Sequence, residues 1–255
     1  MAKQKSLKAP MKLTESNYYS LEADKAYMSV SQFKSFLDCE ARTMAKLNRE
    51  YVEEGNNTAL LVGSYVDSSI EGTLDKFKEE NPQIFTQKGE LKADFKKAEE
   101  IVRLIKENEL FQKFLSGEKQ VILTFELFGI WWKIKMDSFV RDICITDLKT
   151  ARNTEGIVKW RYDIQGAVYQ KGVELNDLGK LPFYLAVATK EDIPDLNIFQ
   201  IPQSTLDLAL MEVEENLPHI MEVKTGKIAP TRCEKCDYCK RTRKTMIRNY
   251  NELLE

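Results

Sequence analysis

The chain has one histidine, His219, among 255 residues. That scarcity argues against a Ser–His–Asp relay and against a zinc site built on imidazoles. Long apolar runs are also missing. No stretch approaches the ~18–20 residues a membrane helix needs, and the longest, such as Leu181–Thr189, has strand length. The N-terminal segment Met1–Lys12 carries four Lys and no acid. It lacks the apolar core of a signal peptide and reads as a solvated arm on a cytoplasmic protein. No internal repeat or low-complexity block is present. Nor is there an excess of one charge: 38 Lys and Arg stand against 40 Asp and Glu, a net charge of −2. Histone-like binding of nucleic acid is thereby excluded. An enzyme acting on DNA is not, because acidic metal ligands and basic contacts cancel in a sum.

What is present is a globular composition, 43% hydrophobic and 31% charged, with five cysteines. In a cytoplasmic protein these are thiols or metal ligands rather than disulfides. Apolar spacing predicts a helix opened by Ser29 or Ser31 and running through Phe33, Phe36, Leu37, Met44 and Leu47, with Cys39 inside it. A second helix is expected over Thr58–Ile70. Leu91–Leu115 reads as one amphipathic helix, with Phe95, Ala98, Val102, Ile105 and Leu110 on its apolar side. Val121–Phe128, Ile130–Val140 and Asp142–Thr150 read as strands, punctuated by Gly129 and by Arg141-Asp142. A helix over Glu155–Leu175, strands over Leu181–Thr189 and Asn197–Ile201, and a last helix opened by Ser204 and Asp207 complete the pattern. The order implies an α/β or α+β domain, helices packed on a mixed sheet.

Charges interrupt the apolar strands at three places: Asp137, Asp147 and Lys149. Alternation along a strand puts Asp147 and Lys149 on one face, and Asp137 lies on the preceding strand of a hairpin. Two carboxylates and an ammonium would converge. Hard oxygen ligands of this kind suit Mg²⁺ or Mn²⁺, and the Lys could orient or deprotonate a water. On the following helix Gln165 and Tyr169, four apart, share a face.

Asp137, Asp147-x-Lys149 and Gln165-x-x-x-Tyr169 together resemble the PD-(D/E)XK nuclease superfamily, in its RecB-like branch, which includes RecE-type phage and prophage exonucleases. The resemblance covers roughly residues 30 to 240. It implies a mixed sheet flanked by helices, with the active site at one end of a β-meander. It implies a Mg²⁺-dependent deoxyribonuclease in which Asp137, Asp147 and the Leu148 carbonyl hold the metal. Lys149 would position or activate the attacking water, and Gln165 and Tyr169 would hold the scissile strand or the motif. The family places a His four residues after a helical Gly. Here Gly63 is followed by Asp67, which can also ligate Mg²⁺. Glu126 is a further acidic candidate. Arg152, Lys159 and Arg161 would hold the DNA backbone, and Lys135 could touch a phosphate. The Trp131, Trp132 and Trp160 rings read as packing residues rather than base platforms, and His219 as inert. Duplex DNA ends, a single-strand annealing protein and a homo-oligomer are the partners implied, in recombination.

The tail carries Cys233, Cys236 and Cys239 at C-x-x-C-x-x-C spacing, which turns successive thiolates toward one metal. Cys144, between Ile143 and Ile145, reads as a buried bystander. Cys39 lies in a segment similar to that of RecB-like iron–sulfur nucleases, in which an early Cys joins three late ones. The resemblance therefore implies one site of Cys39, Cys233, Cys236 and Cys239, structural in role, holding a [4Fe–4S] cluster or, alternatively, Zn²⁺. Between Lys227 and Arg248 eight basic residues face two acids, a phosphate-contacting tail or a solvated one. The expected organisation is an arm over 1–28, a nuclease domain over 29–225 and a Cys-rich tail over 226–255. Two rival readings are a catalytically inactive DNA-binding protein of nuclease fold and an iron–sulfur regulator.

Overall fold

A computed structural model describes residues 9–53, 58–245, 247 and 249. The first eight residues of the arm, and Arg248 of the basic tail, lie outside the described residues. The chain divides into two compact units, 1–30 with 54–216, and 31–53 with 217–255. The segment around Cys39 thus groups with the Cys-rich tail, not with the nuclease-like part. No helix among the described residues is long and apolar enough to cross a membrane.

Among its described residues the first unit holds six strands. The hairpin β1 (Val121–Leu127) and β2 (Ile130–Met136) forms one antiparallel pair. Gly129 and Phe128 turn it with φ of 77° and 52°. β3 (Ser138–Val140), β4 (Cys144–Ala151), β5 (Phe183–Thr189) and β6 (Leu196–Gln200) form a second sheet in that order. β4 and β5 are parallel and the other pairs antiparallel. The run expected as one strand, 130–140, therefore changes sheets. Met136 pairs with Val121, while Ser138 pairs with Thr146. Asp137 is the joint between them.

Helices α4 (Thr58–Glu71) and α6 (Ala93–Glu107) pack on the second sheet. Val62, Tyr65, Val66, Phe95, Ile101 and Ile105 share a core with Leu148, Ala186 and Ala188. Each large apolar side chain so buried contributes about 1.5–3 kcal/mol. The expected 91–115 helix breaks at Asn108, whose extended backbone (φ −90°, ψ 109°) ends α6. Its Oδ1 then accepts Phe111 N–H at 3.0 Å, capping α7 (Glu109–Phe114). Leu110 consequently turns outward, 55% exposed. α1 (Leu21–Ala26) and α5 (Leu74–Glu80) are short helices that periodicity over six or seven residues does not reveal.

The expected 155–175 helix is also two pieces. A 3₁₀ segment (Glu155–Trp160) ends at Arg161, which is left-handed (φ 51°), and α8 (Tyr162–Leu175) begins there. α8 crosses over between the parallel strands and packs unusually close. A Cβ on Gly166 would meet Phe183 at 2.7 Å, and one on Gly172 would meet Phe125 at 2.3 Å. α9 (Gln203–Lys224) starts one residue before the expected Ser204 cap. Pro202 O accepts the first N–H groups, from Thr205 and Leu206, and Asp207 pairs with Gln203 rather than with Ser204.

In the second unit, the helix expected across Cys39 is likewise broken. α2 (Val30–Asp38) and α3 (Glu40–Leu47) meet at Cys39, which is extended (φ −168°, ψ 106°). α10 (Asp237–Thr242) begins after Cys236. Cys39, Ala41 and Cys239 form a small buried core there.

Candidate active site and thiolate group

Asp147 and Lys149 leave β4 on one face, as alternation requires. Lys149 Nζ forms an ion pair with Asp147 Oδ2 and lies 4.0 Å from Asp137 Oδ2. Asp147 is 2% exposed, and its Oδ2 accepts no hydrogen bond of sound geometry. Its other oxygen accepts Gln165 Nε2–H at 2.7 Å. Asp137 Oδ2 accepts Leu148 N–H at 3.0 Å. The N–H and C=O of one strand residue point to the same edge, so the Leu148 carbonyl also faces the Asp137 side. Beyond Thr146, β4 pairs with β5 alone among the described strands, which leaves that edge to the site.

α8 clamps both halves of the acidic pair. Gln165 holds Asp147, and Tyr169 OH donates to Lys135 O at 3.0 Å, fixing the strand two residues before Asp137. The glycine contacts of α8 explain its reach: larger residues at 166 or 172 would lift the helix from the sheet.

α4 delivers Asp67. A Cβ on Gly63 would stand 3.2 Å from Thr150 Oγ1, so the glycine lets the helix lie against β4. Asp67, one turn on, shares that face. Burial, then the charge of Asp137, push its carboxyl well above the usual range, with Lys149 opposing and Asp147 and Glu71 adding. Asp147 is pushed up to about 7 by burial, against the pull of Lys149 and with the help of Asp137. Burial disfavours the Lys149 ammonium, but Asp147 and Asp137 outweigh it and raise its pKa above the ordinary lysine value. These carboxylates favour the protonated, hydrogen-bond-donating form of Lys149. Burial holds the Tyr169 hydroxyl well above its ordinary value, so it too remains a donor.

The chemistry of this set suits a divalent cation. Carboxylate oxygens are hard donors, and burial together with repulsion among three of them raises two pKa values. An added positive charge would relieve that repulsion, and Asp147 Oδ2 faces the site with the Lys149 ammonium as its ionic partner.

Sequence reasoning missed three neighbours. Glu71 is four residues beyond Asp67, a spacing that could have exposed it. Burial and Asp137 raise its pKa, and Gln120 Nε2 donates to its carboxylate. Lys119 is lowered by burial, although Asp137 and Glu71 oppose this. Glu71, Lys119 and Lys135 line one cleft of about 280 Å³. Lys149 Nζ sits 5.5 Å from the centre of the Tyr162 ring.

Other expectations need correction. The Arg161 guanidinium is engaged within the chain, bonding Asp163 (3.0 Å) and Glu212 (2.6 Å). Arg152 and Lys159 are exposed. Glu126 pairs with Trp131, five strand positions from Met136, a separation of roughly 17 Å that keeps it from the site. Trp132 is core, but Trp160 is 65% exposed and does not pack as expected. His219 has a structural partner. Its Nε2 lies 2.6 Å from Glu40 Oε1, and Glu40 Oε2 accepts Thr231 N–H (2.7 Å) and Oγ1–H (2.8 Å).

In the second unit the four expected cysteines converge, every sulfur within 4.8 Å of every other. Cys233 Sγ accepts N–H from Lys235 and Cys236, which lowers its pKa to about 6. Burial pushes Cys239 up to about 12. Cys144 stays apart, buried, its sulfur 3.7 Å from Thr146 Oγ1.

Comparison with known proteins agrees with this architecture. A solved structure from Eubacterium rectale, described as a "Putative exonuclease", superposes with a TM-score of 0.91 at 49% identity, over 95% of this chain and 98% of that one. A second structure, SSO0001, aligns at 14% identity over 82% of this chain and 91% of that one, with a TM-score of 0.32, too low to bear on the fold. No curated protein matches. The family model for a PDDEXK-like domain of unknown function (DUF3799) matches residues 29–242, and with the acidic–lysine corner clamped by α8 in place, the chain belongs to that family.

Proposed function

We propose that the chain is a metal-dependent deoxyribonuclease that hydrolyses phosphodiester bonds, acting as an exonuclease on duplex ends. The observation that carries this reading is the convergence of Asp137, Asp147 and Lys149 at one sheet edge, each held by a named partner. Asp137, Asp147 and the Leu148 carbonyl would hold Mg²⁺ or Mn²⁺, with Asp67 helping. That ion would supply positive charge to the phosphate and make a water more acidic.

The chain's own residues do the rest. Lys149, kept protonated by two carboxylates, donates to the attacking water or to a phosphate oxygen as negative charge grows there. Gln165 keeps Asp147 oriented, so its other oxygen, the one paired with Lys149, faces the site. Tyr169 fixes the backbone that carries Asp137. Lys119 and Lys135, in the adjoining cleft, are placed to meet the phosphates of a bound strand.

The likeness to the Eubacterium rectale protein supports the exonuclease mode. Resection of ends for a single-strand annealing protein, in a phage or prophage and by a homo-oligomer, is the role this mode suits. The four-cysteine group stands outside the chemistry, because phosphodiester hydrolysis needs no redox step; its metal would serve the fold of the second unit.

The test is digestion of linear duplex DNA with and without Mg²⁺, with Lys149→Ala as control. Shortening from the ends that requires the metal and vanishes in the variant is expected. Absence of metal-dependent cleavage of any DNA form would overturn the reading.

A further inference from the structure

The resemblance to iron–sulfur nucleases implies a [4Fe–4S] cluster on Cys39, Cys233, Cys236 and Cys239. The sulfur positions do not fit one. In a cubane each thiolate binds its own iron, which holds the sulfurs about 6 Å apart or more. Here Cys39 and Cys239 are 3.6 Å apart, Cys236 and Cys39 3.8 Å, and Cys233 and Cys239 3.9 Å. No pair exceeds 4.8 Å.

Those edges suit a different occupant. Three of the six edges are 3.6–3.9 Å and none is longer than 4.8 Å; a regular tetrahedron with the shorter edges has its centre about 2.2–2.4 Å from each corner, close to the Zn–S distance of ~2.3 Å. We propose that the four cysteines bind a single tetrahedral zinc ion rather than an iron–sulfur cluster.

The surrounding chain is built for such a site. The break at Cys39 takes that residue out of the helix, between α2 and α3, so that its thiol can meet the late cysteines. Glu234, left-handed at φ 56°, bends the first C-x-x-C loop. Cys236 N–H lies 3.3 Å from Cys233 Sγ, a bond that favours the thiolate. Four thiolates around one divalent ion keep a net charge of −2, and the adjacent segment supplies cations. Arg232 places its guanidinium on Cys239 O at 2.6 Å and on Thr242 Oγ1 at 2.9 Å. Lys235, Lys240 and Arg241 stand within two residues of a ligand. Arg232 also pairs with Glu234 at 2.6 Å, so the positive charge beside the thiolates comes from sequence neighbours rather than from direct contacts with sulfur. Four protein ligands leave no open position, the arrangement of a structural zinc rather than a catalytic one.

The inference is independent of the nuclease reading and is tested without activity. The full chain is expressed with both iron and zinc supplied and purified without oxygen, and metals and acid-labile sulfide are counted. About one zinc per chain, colourless protein and no stoichiometric sulfide are expected. Coloured protein with iron and sulfide in equal amounts overturns the proposal, as does iron without sulfide, or no bound metal. Loading with Co²⁺ in place of zinc should give the intense visible bands of a tetrahedral four-sulfur site. A weak octahedral spectrum overturns it even if no variant folds. Cys236→Ser should cut retained zinc at least tenfold, whereas Cys144→Ser should keep about one per chain. Equal loss in both would refute the ligand set.

Discussion

The carboxylate site of the first unit and the thiolate site of the second bring negative groups together in opposite ways. Asp137, Asp147 and Asp67 are hard donors that the fold crowds beyond what Lys149 neutralises, and two of the three carboxyls are shifted upward. The four sulfurs are soft donors closed on one another, all within 4.8 Å, an arrangement that could hold a metal ion. The first arrangement needs positive charge from outside and keeps an edge of β4 open to receive it. The second supplies all its coordination from the chain. Under the two proposals above, one site takes an exchangeable ion and a substrate, the other a resident ion that serves the fold.

The sharpest way to break that contrast is to remove a carboxylate-site residue and find the fold disturbed. Lys149→Ala should lower the rate of linear DNA hydrolysis by roughly 10³-fold or more, while metal content at the cysteines is unchanged. The converse is Cys239→Ser. It should release the second unit's metal and lower the melting temperature by about 5 °C or more, a shift read by calorimetry. If instead Cys239→Ser abolished hydrolysis without loss of stability, the division of roles would fail.

A smaller effect is expected one layer out. Gln165→Ala frees Asp147 Oδ1 and should cost about 10–100-fold in rate or Mg²⁺ affinity, as measured by metal titration of activity. The response to pH sharpens the contrast further. Folded Asp147 titrates near 7, against ~3.9 when unfolded, so the folded chain binds the proton more tightly between those values. The site's contribution to stability is then greatest below ~4 and declines as pH rises to ~7. Mg²⁺ competes with that proton, and its apparent affinity should weaken about tenfold per pH unit below 7. Calorimetric Mg²⁺ titrations from pH 5 to 8 check the slope; a flat profile would mean that Asp147 does not ligate. The smallest effect belongs to Arg161→Ala. Because its partners are Asp163 and Glu212, stability should fall by about 1 kcal/mol or less, with little change in DNA affinity by gel shift.

The carboxylate site was legible because its signals are local. Asp147 and Lys149 are two apart on one strand, Gln165 and Tyr169 four apart on one helix, and Asp137 one hairpin away. The cysteines were legible as a set because few other uses fit their spacing. What stayed hidden depends on the third dimension. Nothing near Asn108 or Cys39 in the chain competes visibly with helix periodicity, so two breaks were read through. Both become clear only when a side chain finds its target, Phe111 N–H in one case and the late thiols in the other. Arg161 read as a free cation because Glu212 is 51 residues away. The change of sheets at Asp137 is a matter of pairing partners, which a continuous run of strand-forming residues does not disclose.

The three-residue length of β3 has a consequence for solubility. A strand edge with unpaired backbone groups is a template for another chain, and beyond Thr146 β4 pairs with β5 alone among the described strands. Asp137 occupies the Leu148 N–H that an incoming strand would use. The carboxylate proposed for metal binding is thus also a plug on the sheet. Replacing it with an apolar residue should shorten the protein's life in concentrated solution as well as silence it, whereas Asn, which keeps an oxygen acceptor there, should leave it dispersed.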